Sequence, residues 1–439
     1  MAHKREIRWL QHQLPEWVEK GLISEVQAER LRRHYDEAGD GSGYQLGVIA
    51  LGVLGALLIG GGIILIVAYN WEDMTKAWRT VFSFVPVVMG LAIFAYAYFL
   101  RSDSLAWRES SSGWLMLMLA ATISLITQTY HLAGTMESYL RLWLLLSIPL
   151  LYLLNSSFAA LIYAYGITVW AFEAGRPDSA GYWAFFAAAL PHLWWNLRRA
   201  EQPIRRQLLA WAFMISWAFG WFATVETSLY EYGFLGSAIW LSGFFLLNDT
   251  LFPGGKSLLR QPLAFFGLGG VLVMLLIAGF DMRIPELDLR VLWLGKNLPV
   301  WATRINFLVF LCLLGLWVWE TIQVFRQAKD TPEMILMAGF PIFALLYLML
   351  GQGDMDSALA IILANLYGIA IGVAYLREGV RQNNLLNLNL GMLFIIALAL
   401  SRFFDADWSM ITKGIAFVVL GMGFLFGNWY IARKRSMVQ

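Results

Sequence analysis

Carboxylates are the residues best suited to chemistry here, and they gather where apolar runs end. Glu72 and Asp73 follow the first run, directly after Asn70 and Trp71. Two later turns, around Glu226–Glu231 and Asp354–Asp356, hold acid and no Lys or Arg. Grouped oxygen ligands of this kind can gather cations or protons. A second group surrounds the end of the third run: Gln128, Tyr130 and His131, then Glu137 and Arg141. Imidazole titrates near neutrality, so a histidine beside a carboxylate suits proton shuttling or general-base work. Both groups also have plain readings. The positive-inside rule concerns only Lys and Arg, so acid is simply tolerated outside. Glu137 and Arg141 have the spacing of an i,i+4 ion pair opening a helix. Asn365 sits near the middle of its run, beside Tyr367. An amide at that depth marks a helix–helix hydrogen bond or a substrate path.

The elements that position these residues are set by composition. The chain has 439 residues, 59% of them hydrophobic and 14% charged. Soluble chains are nearer 45–50% apolar and roughly 25% charged. A soluble enzyme, a disordered chain and a nucleic-acid binder are therefore excluded. The fold class is an all-α polytopic membrane protein, and the bilayer is its first partner. Apolar runs of transmembrane length fall near 45–69, 80–100, 113–130, 140–154, 157–173, 180–195 and 208–226. They continue near 232–248, 263–280, 305–324, 333–350, 357–376, 385–402 and 411–431. That gives about 14 spans, of which the fourth, sixth and eighth are short.

Four domains follow from these runs. Residues 1–43 form a cytosolic helical hairpin and linker. Ser24 and Gln27 have capping-box spacing, Ile23 and Ala28 staple spacing, and Gly21 ends an earlier helix. Residues 44–280 form a first bundle of about nine spans, and 305–439 a second of about five with a basic tail. Between them, residues 281–304 form an outside loop, whose alternating Glu286-Leu-Asp-Leu-Arg-Val291 reads as a strand in a hairpin or flap. Pro149, Tyr152 and Tyr165 have a weak echo in Pro341, Tyr347 and Tyr367, seven spans later. An odd offset would make the two an inverted repeat, as in many transporters. Pro86, Pro149, Pro191 and Pro341 interrupt spans and would kink them. Gly52, Ala56 and Gly60 share one face, and Gly423 and Gly427 form a GxxxG pair, both suited to close packing or a homodimer seam.

Several chemistries lack their motifs. The chain has no HExxH, no Walker loop, no GxSxG and no Cys/His metal spacing. Its single cysteine, Cys312, lies in an apolar run. No metal or cofactor is expected, no catalytic residue is assigned, and the balance leans away from an enzyme. His192 reads as a packing or cap residue.

One resemblance adds to this. Trp17-Val-Glu-Lys-Gly-Leu-Ile-Ser24, with Gln27-Ala28 and Leu31, precedes a Gly-rich span and then Tyr69-Asn-Trp71. Together with Gln128-Thr-Tyr130, this resembles a bacterial family of multi-pass membrane proteins of unknown function, over about residues 1–140. The tail from Ser401-Arg-Phe-Phe-Asp405 to Lys413-Gly-Ile415 is similar to the C-terminal end of longer members. The resemblance implies a bacterial inner membrane and no catalytic residues. Asn70 in the first motif, and Arg402 and Asp405 in the tail, complete the candidate binding residues.

Three functions remain open at this point. The span number, short spans and kinked helices fit transport or flipping of a small or lipidic substrate. Glu72-Asp73 in the first outside loop fits a membrane-embedded transferase using a lipid-linked donor. Residues 1–43 fit a scaffold or sensor that docks a protein partner. Scarce charge inside the spans places any chemistry at the outer edge.

Charge also orients the chain. With a cytoplasmic N-terminus, 22 Lys and Arg fall inside and 10 outside. Arg198, Arg199, Arg205 and Arg206, and the tail Arg433-Lys-Arg435, are the strongest inside marks. Reporter fusions should therefore place both termini in the cytoplasm. A periplasmic reporter active at the C-terminus would contradict the even count.

Overall fold

The computed structural model describes residues 13–21, 23–31, 69, 71–175, 178–198, 203–225, 230–252, 260–279, 300–327, 331–350, 357–382 and 384–405, with 411, 414, 415, 418 and 421–423. The chain divides into two compact units, Met1–Phe82 and Ser83–Gln439.

In the first unit, α1 (residues 13–19) and α2 (residues 25–31) bracket Gly21, whose φ of 67° is open to glycine without strain. The capping box is present. Ser24 N–H donates to Gln27 Oε1 at 2.9 Å, and Gln27 N–H donates to Ser24 Oγ at 3.3 Å. Two orphan donors at the start of α2 are thereby satisfied. Leu14 is buried. Further on, the Arg79 guanidinium braces the turn before α3 (Lys76–Leu100). It donates to Glu72 O at 2.8 Å and Met74 O at 3.1 Å.

Among the described residues, the second unit holds the rest of α3 and eleven more α-helices. They are α4 (Leu105–Tyr130), α5 (Met136–Leu153), α6 (Ser157–Ala174), α7 (Tyr182–Arg198), α8 (Pro203–Val225) and α9 (Tyr230–Leu251). Then come α10 (Pro262–Ala278), α11 (Val300–Arg326), α12 (Pro332–Leu350), α13 (Ser357–Arg381) and α14 (Leu385–Asp405). No strand occurs among the described residues. An apolar environment leaves backbone groups no partner but the helix itself, and long apolar runs settle into helices for that reason.

Twelve of the expected apolar runs coincide with these helices. The runs near 45–69 and 411–431 lie outside the described residues, apart from isolated positions. Among the described residues, eight helices are long and apolar enough to cross a membrane: α3, α4, α5, α6, α9, α11, α12 and α13. Two more, α10 and the stretch Leu385–Ser401 of α14, are apolar but shorter. The reading of residues 281–304 as an outside hairpin differs from the structure at its end. Residues 300–304 form the start of α11 rather than the end of a hairpin, because Val300, Trp301 and Ala302 continue its apolar pattern. The remainder of the flap lies outside the described residues. So do Gly52, Ala56, Gly60 and Gly427 of the expected packing motifs.

Two helices act as hubs. α6 packs against α4, α5, α7 and α8, and α9 packs against α10, α11 and α12. They are also among the most enclosed candidate spans, with 50% of α6 and 67% of the described part of α9 buried. α11 is only 17% buried, so most of its apolar surface is left for lipid. Pro86, Pro149, Pro191 and Pro341 all lie within helices, as expected. The proposed echo does not extend to packing. Tyr165 is 72% exposed, whereas Tyr367 donates its hydroxyl to Leu336 O at 2.6 Å.

α13 and α14 pack through glycines. A Cβ at Gly391 would lie 2.5 Å from Gly372 O, and one at Gly379 would lie 2.4 Å from Leu388 N. Backbone meets backbone there, and neither wall can yield by rotating a side chain. Gly391→Val should therefore cost about 1–3 kcal/mol by overpacking. Thermal unfolding in detergent should show a clearly lowered Tm, and an unchanged Tm would refute the close approach.

Candidate functional site

A dense polar cluster is built around the short turn between α5 and α6. Asn155 occupies it with φ 48°, a left-handed conformation that asparagine tolerates better than most residues. Helix α5 ends here with orphan carbonyls, and α6 begins with orphan N–H groups. Charged side chains from other helices satisfy both. Arg108 of α4 donates through Nε to Leu154 O at 2.8 Å and through Nη2 to Asn155 O at 3.3 Å. Arg205 of α8 donates to Asn155 O and to Ser157 Oγ. Glu109 accepts from Phe158 N–H at 2.7 Å and from Ser156 Oγ at 2.8 Å. Ser156 itself caps α6, accepting from Ala159 N–H at 3.2 Å. Cations thus meet a helix C-terminus and an anion meets a helix N-terminus, as the helix dipole favours.

The charges also meet each other. Arg205 Nη2 lies 3.6 Å from Glu109 Oε1. Both side chains are largely enclosed, at 15% and 21% exposure, so water screens the pair only partly. From α7, Asn196 Nδ2 donates to Asn155 Oδ1 at 2.8 Å and to His192 O at 2.9 Å. His192 is 3% exposed and lies edge-on to Tyr152, with ring centroids 5.9 Å apart. The Tyr152 hydroxyl donates to Ala188 O. Five helices, α4 to α8, are therefore joined at one turn.

Beside this network is a pocket of about 640 Å³. Its walls include Arg108, Asn155 and His192, with Tyr98, Tyr152 and Trp195 as aromatic members and Ser102 on the α3–α4 turn. A guanidinium, an amide and an imidazole ringed by aromatic side chains suit an anionic group held at a membrane interface. Among the described residues, no group of three or more His, Cys, Asp or Glu could hold a metal ion.

The residues expected from sequence lie elsewhere. Glu72 and Asp73 are exposed on the turn before α3. Gln128, Tyr130 and His131 end α4, and His131 terminates it with φ 49° and its N–H on Gln128 O at 3.4 Å. Glu137 does pair with Arg141, at 3.4 Å, and it also accepts from Trp170 Nε1 at 3.2 Å. That ties the start of α5 to α6, an ion pair with a packing role. Asn365 returns its amide to Ile361 O at 2.9 Å within α13. Arg402 and Asp405 fall in the last turn of α14. Asn70, Asp354 and Asp356 lie outside the described residues.

The cluster sits at the opposite end of α5 from Glu137. His192 and Asn196 are one helical turn apart, and Arg108-Glu109 opens α4. Those spacings were available in the sequence. What joins them, the turn at Asn155, was visible only as a gap between two apolar runs.

These features define a multi-pass helical membrane protein with a polar anchor at one set of helix ends. Over residues 15–160 the chain matches the model of a family described as predicted membrane protein (DUF2157). The match includes Arg108, Glu109, Asn155 and Ser156, and it stops before His192, Asn196 and Arg205. No curated protein and no solved structure matches the chain.

The anchor can be tested by removing its anion. Glu109→Ala strips two acceptor contacts and leaves Arg205 without its partner carboxylate. It should cost about 2–4 kcal/mol. Thermal unfolding should show a large loss of Tm, and Glu109→Ala with Arg205→Ala together should cost less than the sum. Strict additivity would show that the two do not act as a pair.

Proposed function

We propose that the protein binds an amphipathic, anionic substrate at one membrane interface and moves it across or along the bilayer. The topology adopted is 14 spans with both termini cytoplasmic, in a bacterial inner membrane. The observation that carries the reading is the 640 Å³ pocket holding Arg108 and His192 within an aromatic rim. A charged head would rest at the pocket while its apolar remainder stayed among the helices. The exposed apolar surface of the bundle supports this, because a lipidic substrate needs no aqueous route. Pro191 lines the pocket from within α7, where a helix kink can change the opening. Glu72 and Asp73, the residues on which a transferase reading rests, stand exposed on the α3 turn.

Reconstituted vesicles carrying fluorescent phosphatidylglycerol or phosphatidylcholine test the proposal. Wild-type protein should speed movement between leaflets, with the anionic lipid preferred. Ser102→Glu puts a carboxylate on an exposed part of the pocket wall without touching the anchor. It should slow the anionic lipid about five- to tenfold, the effect of roughly 1–1.4 kcal/mol of repulsion. No movement above protein-free vesicles, or an unaffected Ser102→Glu variant, would overturn the proposal.

A further inference from the structure

The opposite face of α7 borders a second cavity. At 100° per residue, Pro191, His192 and Trp195 face the polar pocket, while Leu190, Leu193, Trp194 and Leu197 face away from it. The second cavity is an apolar cleft of about 280 Å³ between α7, α8, α9, α10 and α11. Its walls include Leu190, Trp194, Met214, Trp217, Phe244 and Cys312. It opens on the surface of the bundle, where Leu190 is 45% and Trp194 43% exposed and Cys312 is exposed too.

One end of the cleft is basic. Arg198 follows the lining residue Leu197 and lies over the Trp194 ring, 4.0 Å from its centroid. Arg206 is one helical turn before the lining residue Ala210 and lies over the Phe252 ring at 4.8 Å. Arg260 is three residues before the lining Leu263. Asp249, in the last turn of α9, is the carboxylate nearest in sequence to this end among the described residues. The Nε of Arg206 is buried and has no hydrogen-bond partner among the described residues. A buried donor of that kind normally has an acceptor.

We infer that the cleft holds an acyl chain of an anionic phospholipid from the surrounding bilayer, with its phosphate between Arg198 and Arg206. The apolar walls take the chain, and the arginines take the charge that the chain's own headgroup carries. The ring contacts with Trp194 and Phe252 fix where each guanidinium group lies before lipid arrives. This site is distinct from the polar pocket and stands whether or not the protein moves lipid.

Cys312, the single cysteine of the chain, reports on the cleft directly. The full-length protein would be placed in nanodiscs of phosphatidylcholine alone or with phosphatidylglycerol, and alkylated with a membrane-permeant maleimide. Phosphatidylglycerol should slow alkylation at least about fivefold. Arg198→Gln with Arg206→Gln should abolish that protection, while Arg198→Lys with Arg206→Lys should keep most of it. Equal rates in the two lipids would overturn the inference, as would protection that survives the glutamine pair. A thiol inert in both lipids and in detergent would mean that protein covers the cleft, which also overturns it. Because alkylation does not read lipid movement, a loss here leaves the transport reading untouched.

Discussion

The contact between Arg205 and Glu109 at the α5–α6 turn is the constraint on which the first half of the bundle depends. A turn of three residues between two apolar helices leaves carbonyls on one side and N–H groups on the other. In a membrane protein these cannot simply be left bare. Arg108 and Arg205 supply donors to the carbonyls, and Glu109 supplies an acceptor to the N–H groups. The ion pair between Arg205 and Glu109 then balances two of the three charges that this solution brings in. Replacing either Arg205 or Glu109 leaves an enclosed charge without its counterpart, which costs far more than a surface ion pair.

The same contact shapes what the helices can do. With both arginines and the carboxylate directed at the turn, α4, α5, α7 and α8 converge at one level. The pocket beside them inherits Arg108 and His192 as wall residues. Helix α7 then separates two environments, polar on one face and apolar on the other. An amphipathic molecule is the class of ligand that both environments suit, each from its own side. Aromatic side chains mark the boundary on both faces: Trp195 on the polar one and Trp194 on the apolar one.

Much of the architecture was legible in the sequence, because apolar runs in a membrane have one dominant solution. Twelve runs became helices at nearly the expected places, and the Ser24–Gln27 capping box and the Glu137–Arg141 pair formed as their spacing required. The family resemblance, read on residues near the N-terminus, agrees with the match over residues 15–160. The site was much less legible. Acid count pointed to outer turns, whereas the enclosed polar cluster joins residues 108, 109, 155, 192, 196 and 205, spread over five helices. No spacing rule links Asn155 to Asn196 or Glu109 to Arg205, since only tertiary packing brings them together. Asn365, conspicuous by depth, satisfied its amide within its own helix. Depth alone does not distinguish a local hydrogen bond from a binding group.

The most direct measurement is an electron cryo-microscopy map of the full-length protein in nanodiscs containing phosphatidylglycerol. The account predicts non-protein density in the polar pocket, with a compact head within hydrogen-bond distance of Arg108 and an extended part running toward the bilayer. A pocket closed by protein, or one filled with water only while the Arg205–Glu109 contact is intact, would contradict it.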